Sequence, residues 1–238
     1  MTQVWAHRGA SAHAPENTIP AFELALDQGA DGFELDVQLT RDDQVVVIHD
    51  ETLERTTDGH GRVADHSLDD LVRLDASSGR AGFAGVRIPA LGDVFALVRG
   101  TRATVNVELK NSVVAYPRLE ERVLDVIAGH AMTGRVIVSS FNHDSLRRLA
   151  VLDSEVRLGV LYEQRLWKPW DYARRLGAHA LHPSVALTRR TVVERAHEAG
   201  LGVHVWTVDA PRDIERMAAL GVEAVVTNRP ALARAVLG

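Results

Sequence analysis

The stretch that decides the fold runs from Gly32 to Asp50 and reads GFELDVQLTRDDQVVVIHD. It predicts two short strands, residues 32–39 and 44–48, joined by a polar turn. Because side chains in a strand repeat every two residues, Glu34 and Asp36 leave the first strand on the same face. Adjacent carboxylates raise each other's pKa, and a hard cation between them relieves the repulsion. A solvated hairpin with charged edges is the alternative, and this stretch alone does not choose between them.

On either side of this stretch, apolar strand patterns alternate with helical patterns almost to the end of the chain. Strand interiors such as VIV and VHVWTV are rich in valine and almost continuous, as in a parallel sheet that is buried on both faces. Predicted strands cover residues 3–6, 32–39, 103–109, 135–139, 156–162, 178–181, 202–208 and 223–227, each followed by a predicted helix. Eight such units predict an α/β fold of the closed (β/α)8 TIM-barrel type rather than an open doubly wound sheet. No glycine-rich dinucleotide motif follows the first strand, which agrees with this choice.

The segment 50–90 interrupts this alternation. It is rich in Gly, Asp, Ser and Thr and carries only one short helical pattern, at residues 68–74. We therefore expect a single TIM-barrel domain over residues 1–238, with a small insertion after the second strand.

Composition excludes several classes of function. The chain has 238 residues, a net charge of -5, no cysteine and no basic run, so we expect neither nucleic-acid binding nor thiolate chemistry. The eleven histidines are therefore the foremost acid–base candidates. The N-terminal residues lack the pattern of a signal peptide, and no apolar run has the length of a membrane span, so we expect a cytoplasmic protein without stable membrane insertion. The sequence does not predict the oligomeric state.

Polar residues cluster where the predicted strands end, which is the face that carries the active site in TIM barrels. The residues at these positions are His7, Arg8, Glu34, Asp36, His49, Glu108, Lys110, Ser140, His182, Trp206 and Asn228. If the barrel closes, side chains that are distant in sequence meet at one rim.

A candidate metal site follows from this clustering. Glu108 can complete a three-carboxylate oxygen site with Glu34 and Asp36, of the kind that Mg²⁺ or Ca²⁺ prefers, with Mn²⁺ as a further candidate. Lys110 and Arg8 then place positive charge beside the metal, which suits a phosphate-bearing substrate. The alternatives for Lys110 are a plain ion pair with a glutamate and a Schiff-base lysine.

His7 and His49 are the candidate general acid and base, because both stand at strand ends beside the acidic cluster. Phe141 and Trp206 could form an apolar wall for the alcohol part of a substrate, or could simply pack in the core. Trp167 and Trp170 follow the fifth predicted strand, where they would either cover the site or pack against the next helix.

Five short motifs resemble those of the glycerophosphodiester phosphodiesterase family, within the superfamily of phosphodiesterases that are similar to phosphatidylinositol-specific phospholipase C. They are HRG from His7, PENT from Pro15, ELDV from Glu34, HD at His49 and ELK from Glu108, and they occur in the family's order. One departure is Asn228, where the family often has Asp, and we expect this residue to be structural or to lie outside the ligand shell.

The resemblance implies a function and a set of roles. The function is metal-dependent hydrolysis of a small-molecule glycerophosphodiester to sn-glycerol 3-phosphate and an alcohol. This reaction is a step of lipid and glycerol metabolism. The implied metal ligands are Glu34, Asp36 and Glu108, with His7 and His49 as the acid–base pair and Arg8 and Lys110 on the phosphate. Whether water or the substrate's 2-hydroxyl is the nucleophile stays open.

Three other functions also stay open. The first is lysophospholipase D or phospholipase D-like activity, the second is a non-catalytic phosphoester-binding module, and the third is a lysine-dependent aldolase.

Overall fold

The computed structural model describes all residues 1–238 and contains a closed barrel. The nine strands are β1 Gln3–His7, β2 Gly32–Leu39, β3 Val45–Val47, β4 Thr104–Leu109, β5 Val136–Ser140, β6 Arg157–Tyr162, β7 Ala180–Pro183, β8 Gly202–Val205 and β9 Ala224–Thr227. The nine α-helices are α1 Ile19–Asp27, α2 Leu68–Leu71, α3 Leu91–Val98, α4 Leu119–Gly129, α5 His143–Leu152, α6 Pro169–Arg175, α7 Arg190–Glu198, α8 Pro211–Leu220 and α9 Pro230–Leu237.

Eight parallel strands form the barrel wall, and β3 is an antiparallel addition beside β2. The barrel closes because β1 pairs with β2 on one side and with β9 on the other. The fold predicted from the sequence, a (β/α)8 TIM barrel, is therefore confirmed. None of the helices combines the length and apolarity needed to cross a bilayer.

The alternation of side chains along each strand divides the wall into two faces. Phe33, Leu35 and Val37 of β2 join the apolar layer between the barrel and its helices. Glu34 and Asp36, one residue out of step with them, must then point into the barrel. The same alternation holds in the other strands, so the polar residues of the sequence pattern share the lumen face.

Residues 50–90 lie outside the barrel wall and have a small apolar cluster of their own. Leu53, Val63 and Leu71 are fully buried in it, against Val46 and Ile48 at the end of the hairpin. This packing holds the segment against the C-terminal rim beside β2 and β3.

Several predicted boundaries are wrong. Strand β8 ends at Val205 and not at residue 208, so Trp206 follows the strand, although it still bridges to Ser184. Helix α2 ends at Leu71 rather than at residue 74. These errors fall at element ends, where local propensity is weak and neighbouring segments decide the pairing.

Candidate active site

A cavity of about 430 Å³ opens at the C-terminal ends of the barrel strands. Because the strands are parallel and the barrel is closed, their last inward-pointing side chains meet there. The residues that line the cavity include His7, Arg8, Glu34, His49, Glu108, Lys110, Phe141, Glu163, His182 and Trp206. Asp36 lies beneath this surface and is fully buried.

Three carboxylates meet at the floor of the cavity. The oxygens that Glu34, Asp36 and Glu108 offer lie within 4.8 Å of one another. Asp36 stands beside Glu108 in the register of β2 and β4, and Glu34 precedes Asp36 by two residues on the same face. Burial, together with the charges of Asp36 and Glu108, raises the pKa of Glu34 well above its ordinary value. Burial and the charge of Asp36 also raise the pKa of Glu108.

These carboxylates fit a divalent cation. Glu34 Oε1 and Asp36 Oδ1 are buried and have no hydrogen-bond partner within the protein. A buried carboxylate oxygen without a partner is costly, and a hard cation is the ligand that would satisfy two of them at once. The donor set consists of oxygens only, which is what Mg²⁺ and Ca²⁺ prefer.

Two cations lie on either side of the carboxylate cluster. Arg8 Nε is 3.1 Å from Asp36 Oδ2, and Lys110 Nζ is 2.9 Å from Glu108 Oε1. Burial acts to raise the pKa of Asp36, but Arg8 and other partners outweigh it, so the net pKa lies below its ordinary value. The glutamate ion pair considered for Lys110 is thus present, and it places the ammonium group at the cavity wall.

The two candidate acid–base histidines face this cluster from the end of β1 and from the segment after β3. His7 Nε2 lies 3.7 Å from Glu34 Oε2, and His49 Nε2 lies 3.2 Å from Lys110 Nζ. The other ring nitrogen of each histidine makes a hydrogen bond on the side away from the cluster. His7 Nδ1 is 2.7 Å from Asn228 Oδ1, and His49 Nδ1 is 2.5 Å from Asp50 Oδ1. Burial, and then the charge of Arg8, lowers the pKa of His7.

The aromatic residues divide into two places. Phe141 and Trp206 line the cavity and contact edge to face, with ring centroids 5.6 Å apart. Trp206 is oriented by its indole N–H, which donates to the carbonyl of His182 at 2.8 Å. Trp167 and Trp170 line a neighbouring cleft instead, so neither contributes to the cavity.

Sequence reasoning missed several residues that support the site. Asn17 donates to Asp36 Oδ2 at 2.9 Å and has a left-handed backbone at φ 58°. Arg55 pairs with both Glu16 and Asp50, and so ties the insertion to the rim. Asn17 belongs to the PENT motif, so the motif was a signal, whereas no local pattern singles out Arg55.

A second missed contact lies behind His7. Asn228, which we expected to be structural or to lie outside the ligand shell, contacts His7 directly. Behind it, Asp209 accepts from the side-chain amide of Asn228 at 2.5 Å. Asp209 carried no motif and follows β8 in a loop, so only the folded chain brings it to this position.

A closed barrel whose cavity combines two histidines, a carboxylate triad and two cations has the groups that hydrolysis of a phosphoric diester needs. The model of the "Glycerophosphoryl diester phosphodiesterase family" matches residues 7–232. The chain therefore belongs to this family and is a phosphoric diester hydrolase, as the motifs predicted. Membership decides against the aldolase and the non-catalytic binding module.

Named relatives agree with this assignment. The chain is 45% identical, over 96% of its length and 95% of the relative's, to a glycerophosphodiester phosphodiesterase of Caldanaerobacter subterraneus subsp. tengcongensis. It is 41% identical to a glycerophosphodiester phosphodiesterase of Bacillus altitudinis, over 97% of this chain and 96% of the relative.

Solved structures show the same architecture. A glycerophosphodiester phosphodiesterase from Agrobacterium tumefaciens superposes with a TM-score of 0.87 at 32% identity and covers 99% of this chain and 100% of its own. An Oleispira antarctica phosphodiesterase, in complex with the product sn-glycerol-3-phosphate, superposes with a TM-score of 0.91 at 28% identity, over 100% of this chain and 97% of its own.

Proposed function

We propose that the chain is a metal-dependent enzyme that hydrolyses glycerophosphodiesters to sn-glycerol 3-phosphate and an alcohol. The observation that carries this proposal is the single cavity onto which His7, His49, Arg8 and Lys110 open above the carboxylate triad. The relatives named for this activity, and the neighbour bound to sn-glycerol-3-phosphate, support it. Residues 1–238 would form one catalytic domain with the insertion at 50–90, and the cytoplasmic location expected from the sequence stays a prediction.

Glu34, Asp36 and Glu108 would hold the divalent cation. When bound, such an ion polarises a phosphoryl oxygen and neutralises part of its charge. The donor set supports Mg²⁺ or Ca²⁺, and Mn²⁺ belongs in any test.

The side chains around the triad would carry out binding and proton transfer. Arg8 and Lys110 would bind the phosphate and offset the negative charge that grows in the transition state. One histidine would take a proton from the nucleophile, and the other would give one to the departing alkoxide. Phe141 and Trp206 would hold the alcohol part of the substrate. The nucleophile would be water or the substrate's own 2-hydroxyl, which gains from proximity.

The test is a panel of glycerophosphodiesters assayed with EDTA and after add-back of Mg²⁺, Ca²⁺ or Mn²⁺. Turnover should disappear with EDTA and return with at least one cation. His7→Ala and His49→Ala should each lower kcat by about 10²- to 10⁴-fold while cation binding persists. His60→Ala, at an exposed position outside the cavity, is the matched control. Metal-independent turnover would refute the metal requirement, and wild-type rates in both variants would refute the acid–base assignment.

A second candidate function is hydrolysis of lysophospholipids of the lysophospholipase D or phospholipase D type. The observation in its favour is Trp167, 87% exposed in the loop after β6, with Leu166 beside it. Aromatic side chains at an exposed rim suit the interface of a lipid aggregate. Activity on lysophosphatidylcholine but not on glycerophosphocholine, lost in Trp167→Ala, would decide for it.

A further inference from the structure

A short chain of side chains behind His7 links its ring to a carboxylate, Asp209, that does not line the cavity. Asn228 Oδ1 lies 2.7 Å from His7 Nδ1, and Asn228 Nδ2 lies 2.5 Å from Asp209 Oδ2. Ser11 Oγ lies 2.7 Å from the same Asn228 oxygen and 2.8 Å from the carbonyl oxygen of His7, and its single proton can go to one of them. An amide oxygen accepts two hydrogen bonds, so it can accept from the His7 ring with or without the Ser11 hydroxyl.

Asp209 fixes which way the amide of Asn228 points. The other oxygen of Asp209, Oδ1, accepts from the Thr227 hydroxyl at 2.9 Å and from the backbone N–H of Asn228 at 2.8 Å. These two bonds anchor the carboxylate, and its free oxygen can only accept. The Asn228 side chain must therefore turn its NH₂ group to Asp209 and its oxygen to His7.

The orientation of the amide determines the tautomer of His7. A nitrogen that faces an amide oxygen must carry the proton, because two acceptors facing each other in a buried site would leave both unsatisfied. Nδ1 of His7 is then the protonated nitrogen, and Nε2, on the cavity side near Glu34, keeps its lone pair.

We propose that Asp209 and Asn228 are positioning residues that hold His7 in the tautomer whose unprotonated Nε2 faces the cavity, which makes His7 the general base of the acid–base pair. This inference deepens the proposed function, since it rests on proton transfer by His7 there. His49 differs in kind: Asp50, its neighbour in sequence, holds its Nδ1 without an intervening amide. Asn228 thus accepts from His7 with its oxygen and donates to Asp209 with its NH₂ group. An uncharged amide can therefore orient the His7 ring in this position.

The first test is Asp209→Asn, a change of nearly identical shape. The new amide oxygen can keep the bonds from Thr227 and from the backbone N–H of Asn228. Its NH₂ group then faces the NH₂ group of Asn228, and the two donors force the Asn228 amide to flip. After the flip Asn228 donates to His7 Nδ1, which moves the imidazole proton to Nε2. Asp209 itself makes no hydrogen bond to His7 or to the carboxylate triad.

The tautomer is read directly from the ¹⁵N chemical shifts of the His7 ring, assigned by comparison with His7→Gln. Spectra are recorded at about pH 8, where a histidine of ordinary or lowered pKa is neutral, with Mg²⁺ and again in EDTA. We expect Nδ1 to be protonated in the wild type and Nε2 in Asp209→Asn. We also expect kcat on a glycerophosphodiester to fall by about 10²- to 10⁴-fold while KM stays within a few-fold, because the wrong tautomer presents a donor where the lone pair is needed.

The second test exchanges the two partners in Asp209→Asn/Asn228→Asp. The amide now at position 209 would donate to the carboxylate now at position 228, which accepts from His7 Nδ1 as the native amide does. The double variant should restore the Nδ1-protonated tautomer and most of the lost kcat. Asp153→Asn, at the half-buried C-cap of α5 and outside the cavity lining, is the matched control and should change neither quantity.

The outcomes separate this inference from the proposed function. Protonated Nδ1 in Asp209→Asn, or no recovery of the tautomer in the double variant, would overturn the inference. An inverted tautomer with unchanged kcat would support control of the tautomer and would overturn the acid–base role of His7. Thermal unfolding of each variant shows whether the fold is kept, and the double variant provides the test if the single one does not fold.

Discussion

At the scale of single residues, the carboxylate cluster lowers the stability of the metal-free protein, because it buries three carboxylates close together. Glu34 and Asp36 are almost fully buried, and each has a side-chain oxygen without a hydrogen-bond partner. Arg8, Lys110 and Asn17 offset part of this cost by contacts with Asp36 and Glu108. Glu34 is left with the least compensation, which is why its pKa is raised well above its usual value by burial and by its two acidic neighbours.

Replacing Glu34 with glutamine should therefore stabilise the metal-free protein. An unsatisfied buried acceptor costs about 1–3 kcal/mol, and an amide at this position carries no charge and can donate to a neighbouring carboxylate, so we expect a gain of about 1–3 kcal/mol in the free energy of unfolding. The stabilisation that a bound cation gives should be smaller in the same variant. For an intact site, a cation concentration of 100 times the Kd raises the free energy of unfolding by about 2.7 kcal/mol. Urea unfolding in EDTA and in Mg²⁺ or Ca²⁺ measures both effects.

The control for this change is Glu155→Gln, which removes a carboxylate at an exposed position. It should leave both the stability and the response to cation unchanged. If Glu34→Gln behaved like Glu155→Gln, the carboxylates would not be the cation site.

Residue types at strand ends were enough to predict which side chains gather in the cavity, because period-two alternation and barrel closure are general rules. His7, Glu34, Asp36, Glu108 and Lys110 were found in this way. The supporting contacts of Asn228, Asp209 and Arg55 were not predictable, because each depends on the path of a loop rather than on a repeating pattern.

At the scale of elements, the predicted order of strands and helices is correct, and the errors lie at ends and caps. Thr18 precedes α1 as expected of an N-cap, yet its hydroxyl donates to the carbonyl of Pro15 instead of accepting from the helix. Strand β8 stops early because Trp206 turns its indole to the carbonyl of His182. At Thr18 a hydrogen bond within the same loop replaces the helix cap, and at Trp206 a contact with the neighbouring strand β7 replaces the extended conformation that the residue types favour.

The insertion at residues 50–90 contacts the rim of the site through the side chain of Arg55, so a single substitution can test its contribution. Arg55 bonds Glu16 through two nitrogens, both at 2.8 Å, and also pairs with Asp50, the residue that holds His49. Burial acts to raise the pKa of Asp50, but its hydrogen bonds from Arg55 and His49 outweigh this and lower the pKa to about 2. Asp50 is therefore charged at every pH at which the enzyme would work.

Arg55→Ala should lower kcat while changing stability little. Since Arg55 is 46% exposed, we expect a loss of less than about 1 kcal/mol in the free energy of unfolding. The loss of the group that holds Asp50 should reduce activity by about 10- to 100-fold, as for other residues that orient ligands or catalytic groups. Arg118→Ala, which breaks an exposed ion pair with Asp43 away from the cavity, is the control for kinetics and thermal unfolding. Equal kcat in the two variants would show that the insertion does not support His49.

At the scale of the whole molecule, the barrel interior contains polar groups below the cavity as well as in it. His182 and His204 are 2% and 5% exposed and contact each other, with 2.9 Å between His182 Nε2 and His204 Nδ1. Gly159 makes room for them, because a side chain there would begin 2.3 Å from His182 Nε2. Burial lowers the pKa of His182 to about 3 and that of His204 well below its usual value, and the neighbouring His182 lowers the latter further.

This pair should make the stability of the whole barrel depend on pH below about 6.5, the ordinary pKa of histidine, and for His182 down to about pH 3. The unfolded chain binds protons at both histidines below about pH 6.5, whereas the folded chain does not, so the free energy of unfolding falls as the pH falls. Well below that pH each histidine contributes a slope of up to about 1.4 kcal/mol per pH unit. His204→Asn, which can keep the hydrogen bond to His182, should remove about half of the pair's contribution in urea unfolding, and His60→Asn at the surface should remove none. An unchanged slope in His204→Asn would mean that the barrel interior accepts a proton on this pair without unfolding.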